Sequence, residues 1–352
     1  MDKKFVMGIA AMAALTLVSC SSDDLDSFSD NSSKNEAISF DGYLGRSAVA
    51  VNGTRASVLD NTTLQSTGFG VFGNYSSADD VKFGVNLFNN VKVTGQTTTA
   101  VTKWTYEGGV KYWPSTGHID FLAYAPHETG KTLKNTSFID FTVANQKDLL
   151  WANAKKQTIH TIAADGNNNK VKFHFAHALS RLGFTVKLKE EPSTDVHITL
   201  KSIKLAGSDD GTSKKAFYTG GDFDLAKGEW SQATLTTKEN LNLFSGSKEV
   251  TSTSQSNIAL GADYLFVIPQ EFPNTTEDNK LYVIVEYDIK YDGITETITN
   301  TVHQKLTTDG FKQGKAYMIN LTIGRPIEFD AEVKPWVDET NKNTDINIDS
   351  WE

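Results

Sequence analysis

The sequence predicts an all-β protein built of β-sandwiches. Three observations carry this: short apolar runs rich in β-branched and aromatic residues, turn residues between them roughly every dozen positions, and almost no helical period. From Ile38 onward the runs are Gly68 to Tyr75, Ile119 to Tyr124, Phe138 to Val143, Val171 to Phe175, Leu182 to Leu188, Ile198 to Leu205, Tyr264 to Ile268, Leu281 to Tyr291 and Tyr317 to Ile323. Alternation is clearest in Leu281–Tyr291, where Leu281, Val283, Val285, Tyr287 and Ile289 fall on one face. Asp292-Gly293 then predicts a hairpin turn into Ile294 to Ile298. The one helical reading is short, from Gln146 to Lys156. A length of 352 residues suggests about two domains. The polar, Gly/Asn-rich stretch Ala164 to Asn169 predicts the break between an N-terminal sandwich domain, 37–168, and a C-terminal one, 169–337.

The amino terminus reads as an address, not as structure. Met1-Asp2-Lys3-Lys4 is followed by an almost wholly apolar run from Phe5 to Val18. That run is short of the ~20 residues a helix needs to cross a bilayer, and a basic head before it is the pattern of a secretory signal. It ends in Leu17-Val18-Ser19-Cys20, which resembles the lipobox of bacterial lipoproteins. The resemblance implies a signal peptide over 1–19, recognition by lipoprotein export machinery, and acylation of Cys20 as the new first residue. Each buried methylene contributes about 0.8 kcal/mol, so acyl chains would hold the precursor to the outer membrane. Residues 20–36, starting Ser21-Ser22-Asp23-Asp24 after the cysteine, are polar and aperiodic and predict a flexible tether. The acidic patch also resembles the surface-export signal of Bacteroidetes lipoproteins.

Composition excludes several classes. A net charge of −9 argues against a nucleic-acid partner, which requires a basic surface. A mean hydropathy of −0.35 is too low for a polytopic membrane protein. Cys20 is the only cysteine, so no internal disulfide and no Cys-based zinc site can form.

Catalytic motifs fail one by one. Gly68-Phe69-Gly70-Val71-Phe72-Gly73 has the spacing of a dinucleotide fingerprint, but Asn74-Tyr75-Ser76-Ser77 follows where a helix N-terminus is needed. A glycine-rich strand is the expectation there. His174 and His177, three apart in a strand, point to opposite faces and cannot share a metal. Neither His-Glu-x-x-His nor Gly-x-Ser-x-Gly occurs. Asp79-Asp80, Glu190-Glu191 and Asp209-Asp210 lie among turn residues and read as solvated loop charge, while Trp104, Trp113, Trp151 and Trp230 adjoin β-rich runs and read as core. A non-enzyme without cofactor or metal is predicted.

An ordered set of segments resembles the Bacteroidetes fimbrillin family, the subunits of type V pili. They are Ile38-Ser39-Phe40, Thr54-Arg55-Ala56, Phe69–Phe72, Trp104-Thr105-Tyr106, Tyr112-Trp113-Pro114 and Ile119–Pro126. Asp148-Leu149-Leu150, Phe175–Leu182, Tyr317–Leu321 and Val333–Trp336 complete the set. The resemblance implies two transthyretin-like β-sandwich domains in tandem, a lipoprotein precursor, and a homopolymer of pilus subunits on the cell surface. It also implies that an arginine-specific surface protease cuts a loop after the first strand, and that a neighbour's strand fills the groove thus opened.

The residues offer a part for each role. Ala37 to Tyr43 suits the removable strand, with Ile38 and Phe40 on its buried face. Arg46 and Arg55 follow; Asn52-Gly53 predicts a turn beside Arg55, which makes it the preferred cleavage point, though either reads equally as an ordinary surface arginine. In the tail, 338–352, Ile346 and Ile348 alternate with polar residues. This segment suits a donor strand and suits equally a closing edge strand or a frayed end. The rival function is a surface lipoprotein, monomeric or an anchor or tip of a pilus, that binds glycans or host ligands.

Overall fold

The structure, a computed structural model, describes residues 37–44, 59–98, 101–164, 170–251, 253–254, 264–272, 280–324 and 329–335. All lie in one compact unit, Glu36–Glu352; the other unit, Met1–Asn35, lies outside the described residues. In chain order the N-terminal part comprises β1 (Phe40–Leu44), α1 (Asn61–Thr67), β2 (Phe69–Ser76), β3 (Phe88–Thr98), β4 (Val101–Tyr106), β5 (His118–Ala125), β6 (Phe138–Thr142), β7 (Leu150–Gln157), α2 (Ile159–Ala164) and β8 (Val171–His177). There follow β9 (Ser180–Leu188), β10 (Val196–Ala206), β11 (Phe217–Tyr218), β12 (Gly220–Asp224), β13 (Glu229–Trp230), β14 (Lys238–Glu239) and β15 (Leu241–Glu249). The last are β16 (Leu265–Val267), β17 (Gln270–Glu271), β18 (Leu281–Tyr291), β19 (Thr297–Leu306), β20 (Gly310–Phe311), β21 (Ala316–Ile323) and β22 (Phe329–Pro335). The protein is all-β, as its sequence predicts.

A seven-stranded sheet, β1-β8-β7-β5-β2-β3-β4, forms the N-terminal part. In the C-terminal part the sheet β15-β10-β18-β19 packs on the sheet β16-β9-β21-β22, and one core of Leu, Ile, Val and Phe from both fills the space between. β18 shows why: its buried residues alternate with half-buried ones, and Leu281, Val283, Val285, Tyr287 and Ile289 all face this core. Gly293 has φ of 77° in the turn that joins β18 to β19, a conformation that suits glycine. Ile294 and Ile298, beyond the turn, are exposed.

β5 is buried along its whole length, because both faces of the N-terminal sheet are covered at its centre. Phe121 and Ala123 face the core of that sheet. Leu122 and Tyr124 face a second core shared with β6, β12 and β13 and with Tyr264, Phe266 and Ile268 around β16. That double burial explains the near-continuous apolar run the sequence shows here.

Two sequence expectations change. Gln146 to Lys156 is not helical: β7 occupies Leu150–Gln157, antiparallel to β5. Its Ala and Lys residues favour a helix locally, but Leu150 and Ala152 bury on alternate positions against the sheet, and tertiary pairing prevails. The second concerns β8, which lies past the expected break at 168/169. It pairs with β1 and β7, so its place is in the N-terminal sheet.

Gln146 itself joins the two parts. It adopts φ of 49°, and its side-chain amide brackets the β16 backbone: Phe266 N donates to Gln146 Oε1 at 2.7 Å, and Gln146 Nε2 donates to Phe266 O at 3.2 Å. One side chain thus caps part of an edge strand that would otherwise offer these groups to another chain.

A surface clamp on the C-terminal sandwich titrates. His197 of β10 holds Glu249 through Nδ1 at 2.8 Å and Asp292 through Nε2 at 3.2 Å. The hydrogen bond to Glu249, opposed in part by desolvation and helped by Asp292, raises the imidazole above its ordinary 6.5. A raised folded-state pKa contributes stability fully below the unfolded value of about 6.5 and loses it as pH rises through the folded one. His197→Gln is therefore expected to flatten the decline in melting temperature across that window, by a small amount because the pair is exposed. Melting scans of both proteins from pH 5.5 to about 8 check this; parallel curves would count against the clamp.

Candidate functional site

The site begins with the alternation in Ile38-Ser39-Phe40-Asp41-Gly42-Tyr43-Leu44. Ile38, Phe40 and Leu44 are at most 1% exposed, whereas Tyr43 on the opposite face is 48% exposed. β1 is an edge strand, parallel to β8 from Phe40↔Val171 to Leu44↔Phe175. β8 meets its other neighbour, β7, only at Ala176 and His177. Over 171–175, therefore, β1 is the ladder partner that the sheet supplies to β8 among the described residues. Removing β1 would open a backbone edge and an apolar slot together.

That slot is aromatic. The Phe40 ring lies 5.4 Å from Phe88, 5.5 Å from Tyr106, 5.5 Å from Phe121 and 5.8 Å from Phe173. The first three meet it edge-on, the favoured arrangement for ring quadrupoles. Burial raises the Tyr106 hydroxyl above its ordinary 10, partly offset by the hydrogen bond that Lys111 N donates to it at 3.0 Å. Each of Ile38, Phe40 and Leu44 contributes about 1.5–3 kcal/mol by leaving water. On the far side β1 is held at its ends. Ile38 N donates to Lys111 O at 2.8 Å, and Ala37 bridges Tyr112. Leu44 N donates to Asn61 Oδ1 at 2.8 Å, and Asn61 Nδ2 returns a bond to Leu44 O at 2.9 Å.

Asn61 opens α1, whose first turn is closed by a capping box between Asp60 and Thr63. Just before it, Leu59 N donates to Asp148 Oδ2 at 3.1 Å. Asp148, 1% exposed, also holds His177 Nδ1 at 2.9 Å, and His177 is 3% exposed. The chain that leaves β1 at Leu44 and returns at Leu59 is thus tied at both ends to the sheet.

Arg46 and Arg55 both belong to the intervening stretch, 45–58, and lie outside the described residues. Cys20 and the tail with Ile346 and Ile348 lie outside them as well. The structure gives Asn61, Asp148 and His177 holding roles that sequence reasoning did not assign to them. The signal for the last was present, because a histidine on the apolar face of an alternating strand requires a buried polar partner. Where β1 is concerned, the expected inward residues Ile38 and Phe40 are indeed buried.

Among the described residues no cluster of His, Cys, Asp and Glu could hold a metal ion, and no helix is long and apolar enough to cross a membrane. Trp113 and Trp230 are buried; Trp104 and Trp151 are half-buried against the cores.

Residues 54–336 match the model of the fimbrillin-like family. The chain belongs to the fimbrillin-like family. Solved structures similar to this fimbrillin-like chain include a fimbrial protein from Bacteroides vulgatus ATCC 8482. It is 23% identical with a TM-score of 0.63, over 86% of this chain and 99% of that one. A candidate cell adhesion protein from Bacteroides uniformis ATCC 8492 is 18% identical with a TM-score of 0.50, over 86% and 99%. A fimbrilin from Porphyromonas gingivalis W83 is 13% identical with a TM-score of 0.43, over 86% and 97%. No curated protein sequence matches the chain. The fimbrillin-like match starts beside Arg55 and ends at Trp336, leaving β1 on one side and the 338–352 tail on the other.

Proposed function

We propose that this fimbrillin-like chain is a structural subunit of a cell-surface pilus that serves adhesion. It is exported as a lipoprotein acylated on Cys20, cut by an arginine-specific surface protease after Arg55 or Arg46, and polymerised by strand exchange. Family membership supports the pilus role. One observation supports the exchange: β1 is an edge strand whose inner face fills an aromatic slot, and its continuation into the sheet runs through the stretch that holds both arginines. After a cut there, side-chain burial, backbone pairing and the Asn61 bonds to Leu44 hold β1. A neighbour's strand can satisfy the same groups, which is the physics of strand addition at an open edge. The tail around Ile346 and Ile348 is the donor in this reading, and two transthyretin-like domains in tandem carry the slot and the tail.

The test is the double substitution Arg46→Ala/Arg55→Ala expressed in cells. The expected product is a monomer that keeps its acylated Cys20, with fibres absent by electron microscopy. Fibres at the normal yield would overturn the cleavage step. The rival, a monomeric glycan-binding lipoprotein, needs aromatic rings on an exposed platform, and the inward packing of the four described tryptophans speaks against it.

A further inference from the structure

β19 is the outermost strand of the sheet β15-β10-β18-β19, and it lacks the devices that shield the other free edges of the C-terminal sandwich. β15 pairs with β10 through two shifts of register, β16 is three residues long and bracketed by Gln146, and β22 closes on Pro335. β19 runs ten residues, Thr297–Leu306, in unbroken register with β18. It contains no Gly or Pro, and Lys305 is its single Lys, Arg, Asp or Glu. A long, regular edge of this kind is a template for a further strand.

Its backbone groups point outward at alternate positions. Asp292 N donates to Asp195 O at 2.8 Å on the β10 side of β18, so the odd-numbered residues of β18 turn their N–H and C=O towards β19. Their partners in β19 are the even-numbered residues, Ile298 to Leu306. Thr297, Thr299, Thr301, His303 and Lys305 therefore direct N–H and C=O away from the sheet, where no strand meets them among the described residues.

The inward side chains are symmetric in kind about Val302. Ile298, Asn300, Val302, Gln304 and Leu306 read apolar, amide, apolar, amide, apolar. A copy of β19 laid antiparallel and centred on Val302 sets Ile298 against Leu306, Asn300 against Gln304 and Val302 against itself. Two features left incomplete in the single chain are met by this pairing. Ile298 is 51% exposed although Ile289, its partner in β18, is buried. Asn300 Nδ2 is buried without a hydrogen-bond partner among the described residues, and Gln304 Oε1 of the second copy is an acceptor across the pair.

We infer that β19 is an interaction surface whose partner is β19 of a second copy of this chain, paired antiparallel about a two-fold axis at Val302. The surface is self-complementary, as a two-fold contact requires. Thr301 faces His303 and Thr299 faces Lys305 across the axis, so no like charges oppose one another. The contact joins chains side by side and is separate from any exchange of β1. Along a polymer of such chains it recurs, so a contact weak between two chains becomes strong between two polymers.

The test uses the uncut chain from Ser21 onward, which holds the whole compact unit and no cysteine. Sedimentation at rising concentration is expected to show a monomer–dimer equilibrium; a monomer at every concentration up to about 1 mM overturns the contact. Thr301→Pro removes an outward N–H and leaves the β18 ladder whole. It is expected to weaken dimerisation about tenfold or more with the circular dichroism spectrum unchanged. Thr299→Lys keeps every backbone group, sets like charges opposite each other twice in the dimer, and is expected to weaken it about threefold to tenfold. A dimer that tolerates both substitutions lies on another surface and overturns the inference. Val302→Cys tests the register. Two copies of residue 302 face each other in a pair without backbone bonds, about 4.5 Å apart at Cα and within disulfide reach. Two copies of Thr301 stand more than about 7 Å apart. Under mild oxidation Val302→Cys is expected to cross-link at least about tenfold faster than Thr301→Cys, and equal rates overturn the pairing about Val302.

Discussion

Asp148→Ala is expected to lower stability by about 2–6 kcal/mol, the cost of leaving two buried donors without their acceptor. Its carboxylate sits between two donors, Leu59 N at 3.1 Å and His177 Nδ1 at 2.9 Å, in a site from which water is almost wholly excluded. Alanine takes the acceptor from both, and each buried donor so deprived costs about 1–3 kcal/mol. At about 1.4 °C per kcal/mol for a chain of this size, the melting temperature should fall by roughly 5 °C. Asp148→Asn keeps an oxygen for Leu59 and should cost distinctly less. Asp140→Ala, at an exposed carboxylate 3.8 Å from Lys131 Nζ, should stay within about 0.5 kcal/mol. Thermal unfolding of the three variants checks the order. A drop for Asp148→Ala no larger than for Asp140→Ala would mean that the pair contributes nothing. Amide exchange adds a local readout: Leu59 N–H should exchange faster in the alanine variant, because its return into the sheet loses its acceptor.

What the sequence made legible follows the distance over which each feature is decided. The inward face of β18 is written in adjacent residues, and the turn at Asp292-Gly293 in two of them, so both are read from the chain alone. The burial of Ile38 and Phe40 is legible for the same reason. β7 is not, because Ala152-Asn153-Ala154-Lys155-Lys156 carries helix-favouring residues and the strand is settled by pairing with β5. β3, Phe88–Thr98, is polar and threonine-rich and leaves no apolar run to find. The parallel register of β1 on β8 joins segments more than a hundred residues apart, which no local pattern encodes. His177 was readable as facing away from His174, yet its acceptor, Asp148, comes from another strand end. The tight position at Gly42 is invisible in sequence, since a glycine in a strand reads the same whether space or rings lie beside it.

Phe40→Ala should cost about 3–5 kcal/mol, and most of that cost should fall on β1 alone. The ring touches Phe88, Tyr106, Phe121 and Phe173, so its loss leaves a cavity that four large neighbours cannot close without leaving their own rotamers. The remaining holds on β1 are Ile38, Leu44, the Asn61 bonds and the ladder to β8, none of which replaces a filled aromatic slot. β1 should therefore open locally before the body of the protein unfolds. Exchange of amides in β1 and in 171–175 of β8 should accelerate by about a hundredfold or more, while β18 amides in the C-terminal core keep their protection. Tyr43→Ala, on the outward face, should leave both sets unchanged. Equal acceleration in β18 would mean that β1 is no separate unit and would count against a strand built to be replaced. The functional counterpart follows from the same balance. A precursor strand must hold until the chain is cut and then yield to another, so its grip has to lie below that of its replacement. If the chain is cut and exchanged as proposed, weakening that grip at Phe40 should leave cleavage at Arg46 or Arg55 necessary but make the cut protein polymerise sooner, measurable as a shorter lag in light scattering after protease is added.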